Sequence, residues 1–386
     1  MAASFVKIPL VGRIDSNNSA ETEKQIQAQL AGKENVPVKL DAEGLEYISS
    51  AGLRVLLRLK KEHPALSVTG VNSAVYEILE MTGFTEMMTV EKAYRTVSIE
   101  GCEEIGRGVN GTIYRIDQDN VVKVYNNADA LDDIRHEREM AKLALILGIP
   151  TAISYDVVKV GNSYGAVFEL LNARSFTKIL TDEPQKLDWC VGEFVKLLKK
   201  IHGTAVPEGK LGDIKETVLY WVSTMQNCLP AEAAEKLLAL VEAVPHDNHM
   251  IHGDFHTKNI ELQNDEVLLI DMDTLSVGNP VFELAHIYNS LIGFSEWDHE
   301  HIKRFQGYDF ETAKNFWTKT LAAYLETKDE AEIRKTEEKI RIVSYTRLLS
   351  RSIRHREYET ETGSHEFGFW RGELLKLLNK TDTLLI

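Results

Sequence analysis

His252-Gly253-Asp254-Phe255-His256-Thr257-Lys258-Asn259-Ile260, followed shortly by Leu268-Leu269-Ile270-Asp271-Met272-Asp273, is the stretch that most restricts how this chain can fold. Gln263-Asn264-Asp265 lies between, a polar turn flanked by apolar, β-prone residues. The pattern predicts a hairpin with strands over 259–262 and 267–270. Closing that hairpin brings together Asp254 in the preceding loop, Asn259 at its end, and Asp271 where the second strand stops. One carboxylate can accept a hydroxyl proton. An amide oxygen and a second carboxylate suit Mg²⁺, a hard ion that completes its shell with water and phosphate oxygens. The spacing therefore points to phosphoryl chemistry at a metal. In a strand Asp271 and Asp273 would face the same side, so Asp273 is expected to join the metal site or to hold the loop.

The whole chain has 386 residues, enough for two or three domains, and an ordinary apolar fraction of 44%. Its formal charge of −15 argues against non-specific binding to nucleic acid or to an anionic membrane as the main role. The same charge would favour a cationic substrate, although a negative total also simply keeps a protein in solution. Cys102, Cys190 and Cys228 are far apart and form no CxxC. They suggest neither a disulfide framework nor a zinc site, which fits a reducing compartment. Met1 to Leu10 has no basic segment with a long apolar core, and no run is long enough to span a bilayer. A cytoplasmic protein is the expectation.

From the start the chain alternates strand and helix signals. Residues 5–11 are β-prone, a helix is expected to 30 with Ser19 as its cap, and 36–40 reads as a strand ending at Asp41. Ser50 is expected to cap a helix through Leu59, which Pro64 ends. A strand over 66–71 and a helix from Ser73, stopped near Gly83, complete a small helix-covered sheet. Val11-Gly12-Arg13-Ile14-Asp15, Leu40-Asp41, the run from Tyr47 to Leu56, and Thr82-Gly83-Phe84 together resemble a STAS domain, the fold of bacterial anti-sigma-factor antagonists. In that family a Ser or Thr two residues before the loop glycine can be phosphorylated by a partner kinase. The resemblance thus implies a protein-interaction module with Ser50 as the phosphorylation candidate. A phosphate there would meet free N–H groups and the helix dipole. The family's switch members usually carry Asp where this chain has Ser49, and the plain alternative is that Ser50 only caps the helix. Residues 89–97 read as a short, charged connection rather than a flexible tether.

Beyond it, strand 99–105 leads to Gly106-Arg107-Gly108-Val109-Asn110-Gly111, then to strand residues 112–116 and a further strand, Asn120 to Tyr125. A dinucleotide-binding unit would need a helix after such glycines. Strand, glycine loop, strand, turn and a strand carrying Lys is instead the order of a kinase N-lobe. Gly106, Gly108 and Gly111 would let backbone N–H groups approach phosphates closely. Lys123, set between Val122 and Val124, would reach them from its strand. The helix over 131–147 offers Glu137 and Glu139, on different sides, to hold that lysine. A hairpin follows, and its end, Phe168-Glu169-Leu170-Leu171, would be the hinge that meets the nucleotide base. A clear amphipathic helix runs over 187–202.

His252-Gly253-Asp254 with Ile270-Asp271-Met272-Asp273 resembles the aminoglycoside phosphotransferase and choline kinase version of the catalytic loop, not the His-Arg-Asp of protein kinases. The resemblance implies ATP or GTP as phosphoryl donor, Asp254 as the base that orients the acceptor hydroxyl, and Mg²⁺ on Asn259 and Asp271. Measured back from Gly148-Ile149-Pro150, it favours Glu137 over Glu139. His252 is expected to be a structural anchor and His256 to hydrogen-bond within the loop. Glu283-Leu284-Ala285 stands where the family has Asp-Leu-Ala, so one structural contact differs. Arg341, Arg347, Arg351, Arg354, His355 and Arg356 form a basic run within the helical C-terminal part. It reads as a solvated helix face, as an anion-binding acceptor site, or as an edge that docks the N-terminal domain.

The expected fold is α+β: a STAS domain over 1–96, a kinase-like N-lobe over 97–171, and a C-lobe with a helical acceptor-site extension over 172–386. The leading expectation is a small-molecule phosphotransferase with nucleotide and acceptor as ligands, a protein partner on the STAS domain, and neither nucleic acid nor membrane. The alternatives are a regulatory protein that senses nucleotide, and a kinase acting on a STAS serine. The acceptor itself is not legible.

Overall fold

The computed structural model describes residues 5–33, 36–108, 111–127, 130–225 and 227–386. The chain forms two compact units: Met1–Tyr114 with Lys123–Ala128 and Asp156–Val167, and Arg115–Val122 with Asp129–Tyr155 and Phe168–Ile386.

The first unit opens with β1 (Val6–Ile14), α1 (Ser19–Leu30), β2 (Val38–Ile48), α2 (Ser50–Glu62), β3 (Leu66–Val71), α3 (Ser73–Met81), the short α4 (Phe84–Met87) and β4 (Thr89–Lys92). The strands form a parallel sheet in sequence order, as β-α-β crossovers of this length require. Ile8, Leu10, Val38, Leu40 and Val68 of the strands bury against Val55, Leu56 and Leu59 of α2 and Val75 and Leu79 of α3. Three local expectations change. Strand β2 does not stop at Asp41 but runs to Ile48, because Ala42, Leu45 and Ile48 are buried and Gly44, Leu45, Tyr47 and Ile48 pair with β1 through an irregular register; that pairing overrides weak local β propensity. Ser49, not Ser50, caps α2, its Oγ accepting from the Ala51 N–H at 3.2 Å. Ser19 is the first residue of α1, and Asn18 holds the cap position.

Residues 89–97 are not a plain connection. β4 is the edge of the first sheet, and β5 (Arg95–Thr96) pairs in parallel with β9 (Asp156–Val160) of a second sheet. Only Ala93 and Tyr94 separate the two strands. The second sheet has the order β5-β9-β10-β8-β7-β6, with β6 (Glu103–Arg107), β7 (Gly111–Arg115), β8 (Asn120–Tyr125) and β10 (Ser163–Glu169); α5 (Leu131–Ile146) intervenes in sequence.

In the second unit, β11 (Arg174–Ser175) and α6 (Phe176–Asp182) precede α7 (Leu187–His202), α8 (Ile214–Thr224) and α9 (Ala231–Glu242). Short strands β12 (Met250–Ile251), β13 (Ile260–Gln263), β14 (Glu266–Leu269) and β15 (Ser276–Val277) frame the central stretch. Helices α10 (Pro280–Leu291), α11 (Glu300–Gln306), α12 (Phe310–Leu325), α13 (Glu330–Arg354) and α14 (Glu361–Leu378) follow. The apolar face of α7 carries Phe194, which packs edge-on against Phe255 and Phe316 at centroid distances of 4.6 and 5.1 Å. The central loop is thereby nailed to the helical core through Phe255. No helix among the described residues is long and apolar enough to cross a membrane.

Candidate functional site

Strand β12 delivers the chain to His252, where a sharp bend begins. Gly253 has φ +85°, and a Cβ there would lie 2.6 Å from the Thr274 carbonyl oxygen, so only glycine fits. The buried Glu283 of α10 accepts from the backbone N–H groups of His252, at 2.5 Å, and Gly253, at 3.1 Å. Burial alone would raise the Glu283 carboxyl. The rings of His202, His252 and His286 beside it outweigh burial and hold it below its ordinary value. His202 is structural, as its position suggests, with Nδ1 hydrogen-bonded to the Tyr324 hydroxyl at 2.8 Å. Thr274 Oγ1 donates to the His252 carbonyl at 2.7 Å, and His252 Nδ1 accepts from the Asp254 N–H at 3.2 Å. His286 Nδ1 donates to the Gly253 carbonyl, and burial pushes its ring down to about 4, leaving it neutral near pH 7. On the other side of the loop, Thr257 Oγ1 meets Gln306 Oε1 and the Tyr308 hydroxyl, each at 3.0 Å, and Thr177 Oγ1 at 2.8 Å.

Asp254 projects from this braced loop with its side chain 40% exposed. Burial acts to raise its carboxyl, but the hydrogen bond and charge of His256, aided by Arg347 and His252, hold it far below the usual range. His256 Nε2 stands 3.4 Å from Asp254 Oδ2. Asn259 Nδ2 donates to the Asp254 carbonyl at 3.0 Å and reaches Oδ2 at 3.5 Å. That commits the amide nitrogen and leaves the amide oxygen for another ligand. The Ile270 N–H donates to the Asn259 carbonyl at 2.9 Å, so Asn259 and the residue before Asp271 are hydrogen-bonded neighbours. Asn264 and Asp265, at φ 49° and 65°, close the hairpin in left-handed conformations that their side chains tolerate. Asp271 itself has φ 64°. Strand β14 has already ended at Leu269, so the pleat that would put Asp271 and Asp273 on one side does not exist there. The Asp273 carbonyl is instead hydrogen-bonded to His136 Nε2 of α5 at 3.0 Å.

An amide oxygen and a carboxylate fit Mg²⁺, which keeps water and phosphate oxygens for its remaining positions. A closed cage of three or more His, Cys, Asp or Glu ligands is absent among the described residues.

Glu169 and Leu171 line a cavity of about 400 Å³ together with Thr151, Ile153 and Leu268. The Leu170 N–H between them donates to the Asp119 carbonyl at 2.6 Å, fixing this segment. Of the glycines, Gly106 lies within β6, the Gly108 N–H donates to the Gly111 carbonyl at 2.9 Å, and a Cβ on Gly111 would lie 2.4 Å from the Val124 carbonyl oxygen. Val109 and Asn110 lie outside the described residues. Lys123 is half-buried, with Nζ 5.1 Å from the Tyr125 ring centroid. Glu137 is buried on the face of α5 that also buries Ile134 and Ala141, whereas Glu139 is exposed. Ser50 is exposed as the first residue of α2.

The basic run is divided in its roles. Arg341 bonds Glu373 and Tyr345, Arg351 pairs with Glu357, and Arg356 pairs with Glu359. Arg347 remains half-buried and close enough for its charge to act on Asp254. Sequence reasoning did not single out Glu283 or His286 as braces of the loop. Their signal was there, as polar residues on the otherwise apolar run from Val281 to Tyr288.

The fold and this loop define a kinase-like phosphotransferase preceded by a small α/β domain. Residues 101–316 match the model of the phosphotransferase enzyme family, and the chain belongs to that family. Residues 2–90 match the model of the STAS domain of Mlab. Among solved structures, a variant of thermostable aminoglycoside phosphotransferase APH(4)-Ia, in ternary complex with AMP-PNP and hygromycin B, aligns at 12% identity and TM-score 0.50, over 72% of this chain and 93% of that one. ADP-bound aminoglycoside phosphotransferase APH(2'')-Ib aligns at 15% identity and TM-score 0.47, over 80% and 99%. No curated protein sequence matches the chain.

Proposed function

We propose that this enzyme transfers the γ-phosphoryl group of ATP or GTP to a hydroxyl of a small molecule. The observation that carries the reading is Asp254: a partly exposed carboxylate 3.4 Å from His256 Nε2, beside an asparagine, on a loop braced by Glu283. The acceptor oxygen attacks the γ-phosphorus, the bond to the bridging oxygen breaks, and the nucleoside diphosphate leaves. Asp254 orients the hydroxyl and takes its proton. Asn259 and Asp271 would hold Mg²⁺, which supplies positive charge against the phosphate oxygens. Gly106, Gly108, Gly111 and Lys123 would bind the phosphates, Glu137 would position the lysine, and Glu169 and Leu171 would border the base. The AMP-PNP and ADP complexes of the structural neighbours support a nucleotide donor. Such catalysis is positioning plus charge neutralisation, which asks no covalent step of the protein.

The test is phosphoryl transfer from γ-labelled ATP with Mg²⁺ over a hydroxyl-compound panel. Asp254→Asn should lower kcat by about 10²–10⁴-fold, the range for losing a positioned base, with nucleotide affinity unchanged. Tight nucleotide binding without turnover of any acceptor would favour a regulatory, nucleotide-sensing protein instead.

The STAS domain is read as an interaction module for a protein partner. Ser50 supports a second reading, since it is exposed at the N-terminal end of a long helix. If the kinase part modifies it, labelled ATP should mark the wild-type chain but neither Ser50→Ala nor Asp254→Asn. Equal labelling of Ser50→Ala would remove Ser50 from consideration.

A further inference from the structure

A cavity of about 430 Å³ borders the catalytic loop, with Gly253 and Thr274 in its wall and Trp221, Ser276, His286 and Arg347 around them. Its size is that of small-molecule sites. Arg347 comes from α13, and its guanidinium sits 5.8 Å from the Trp221 ring centroid. It makes no ion pair or side-chain hydrogen bond with any described residue, although Arg341 and Arg351 on the same helix are both paired. A half-buried guanidinium with its fork of donors unused is costly to keep unless something fills it. Two further atoms at this wall lack partners, Ser276 Oγ and His286 Nε2, on residues only 8% and 6% exposed. Because His286 Nδ1 already donates to the Gly253 carbonyl, Nε2 is left as a hydrogen-bond acceptor.

The acidic residues of the wall do not cancel this. Asp213 caps α8 by accepting from the Lys215 N–H at 2.8 Å, and it meets His246 Nδ1 at 2.7 Å. Asp273 has partners of its own. Glu216 stands exposed on the first turn of α8. The N-terminal turn of α8, which also borders the cavity, adds the positive end of a helix dipole.

We propose that this cavity is the acceptor pocket and that it takes a hydroxylated anion: a small molecule whose carboxylate or phosphate pairs with Arg347 while one of its hydroxyls is presented to Asp254. The inference rests on the phosphotransfer reading above and names its substrate class. A planar guanidinium backed by an indole ring engages two anionic oxygens at once, in a geometry a lysine cannot match. A polycationic acceptor would bring like charge against Arg347.

The experiment is calorimetric titration of the full chain, with AMP-PNP and Mg²⁺ present, using D-gluconate, glucose 6-phosphate, glucose and kanamycin as probes. At least one anion should bind more tightly than glucose and kanamycin. Arg347→Met should weaken that anion by about 10-fold or more, the worth of a charge-assisted pair, and leave AMP-PNP affinity within about 2-fold. Arg347→Lys keeps charge and bulk and should lose about 3-fold or more; it carries the test if Arg347→Met folds poorly. Arg354→Ala, exposed on the same helix, should change nothing. Preference for gluconate identifies a carboxylate site, and preference for glucose 6-phosphate a phosphate site. The proposal is overturned if neither anion binds the wild type at up to ~10 mM, if glucose or kanamycin binds as tightly, or if Arg347→Met and Arg347→Lys retain full anion affinity. Failure of AMP-PNP to bind the wild type would instead overturn the phosphotransfer reading itself.

Discussion

Gly253 and Glu283 show how much of the loop around Asp254 is decided by residues outside the candidate site itself. An added methyl at Gly253 meets a carbonyl oxygen in a left-handed backbone. Gly253→Ala should therefore destabilise the chain by about 1–3 kcal/mol, read from denaturant midpoints, and lower turnover by displacing Asp254. Glu283→Gln keeps the shape but removes the charge that two backbone N–H groups share. A loss of about 1–2 kcal/mol is expected, and a melt unchanged from wild type would show that the buried charge is not needed. That Asp254, Asn259 and the end of the second strand come together was legible in the sequence, because one short hairpin spaces them. Glu283 was read only as a departure from the family's Asp. Its longer side chain nevertheless reaches both N–H groups, a fact that depends on where α10 lies and not on local sequence.

Strand β13 carries a second consequence of burial. Glu261, opposite Leu268 in the hairpin, has no charged partner that shifts it, and burial pushes its carboxyl from 4.5 up to about 7. The folded chain therefore holds this proton to higher pH than the unfolded chain does. Its contribution to stability is greatest below about pH 4.5 and declines as pH rises toward 7. Glu261→Gln should remove that decline, worth about 1–3 kcal/mol, in denaturation curves taken across this window. A slope identical to wild type would reject the assignment. A helix whose apolar periodicity is strong, α7, was legible to the residue. β2 was not, since its second half is specified by pairing with β1 and not by its own alternation. Nor was the turn after β14, because nothing in Ile270-Asp271-Met272 announces that Asp271 will leave the strand conformation.

Across the whole chain the apolar residues gather in separate cores, one built on the first sheet and one on the helices around α7, α10 and α13. Separate cores predict more than one calorimetric transition. Gly52 lies where a Cβ would sit 2.6 Å from Ile48 and 2.8 Å from Ile14, so Gly52→Val should lower only the transition of the first sheet. Shifts of equal size in every transition would mean that the cores melt together. The STAS and kinase-like parts were readable from sequence because each repeats a recognisable order of elements. Their junction was not, because its charged residues disguise two edge strands. That junction makes the chain awkward to cut. A fragment starting at residue 97 would lose β5, together with its Arg95–Asp156 ion pair, and leave the backbone ladder of β9 bare. Bare ladders recruit other chains, so this fragment should elute as aggregates where one starting at residue 93 does not. Ala93 and Tyr94, the two residues between β4 and β5, are therefore the one place in this junction where the chain can be divided with both ladders left whole.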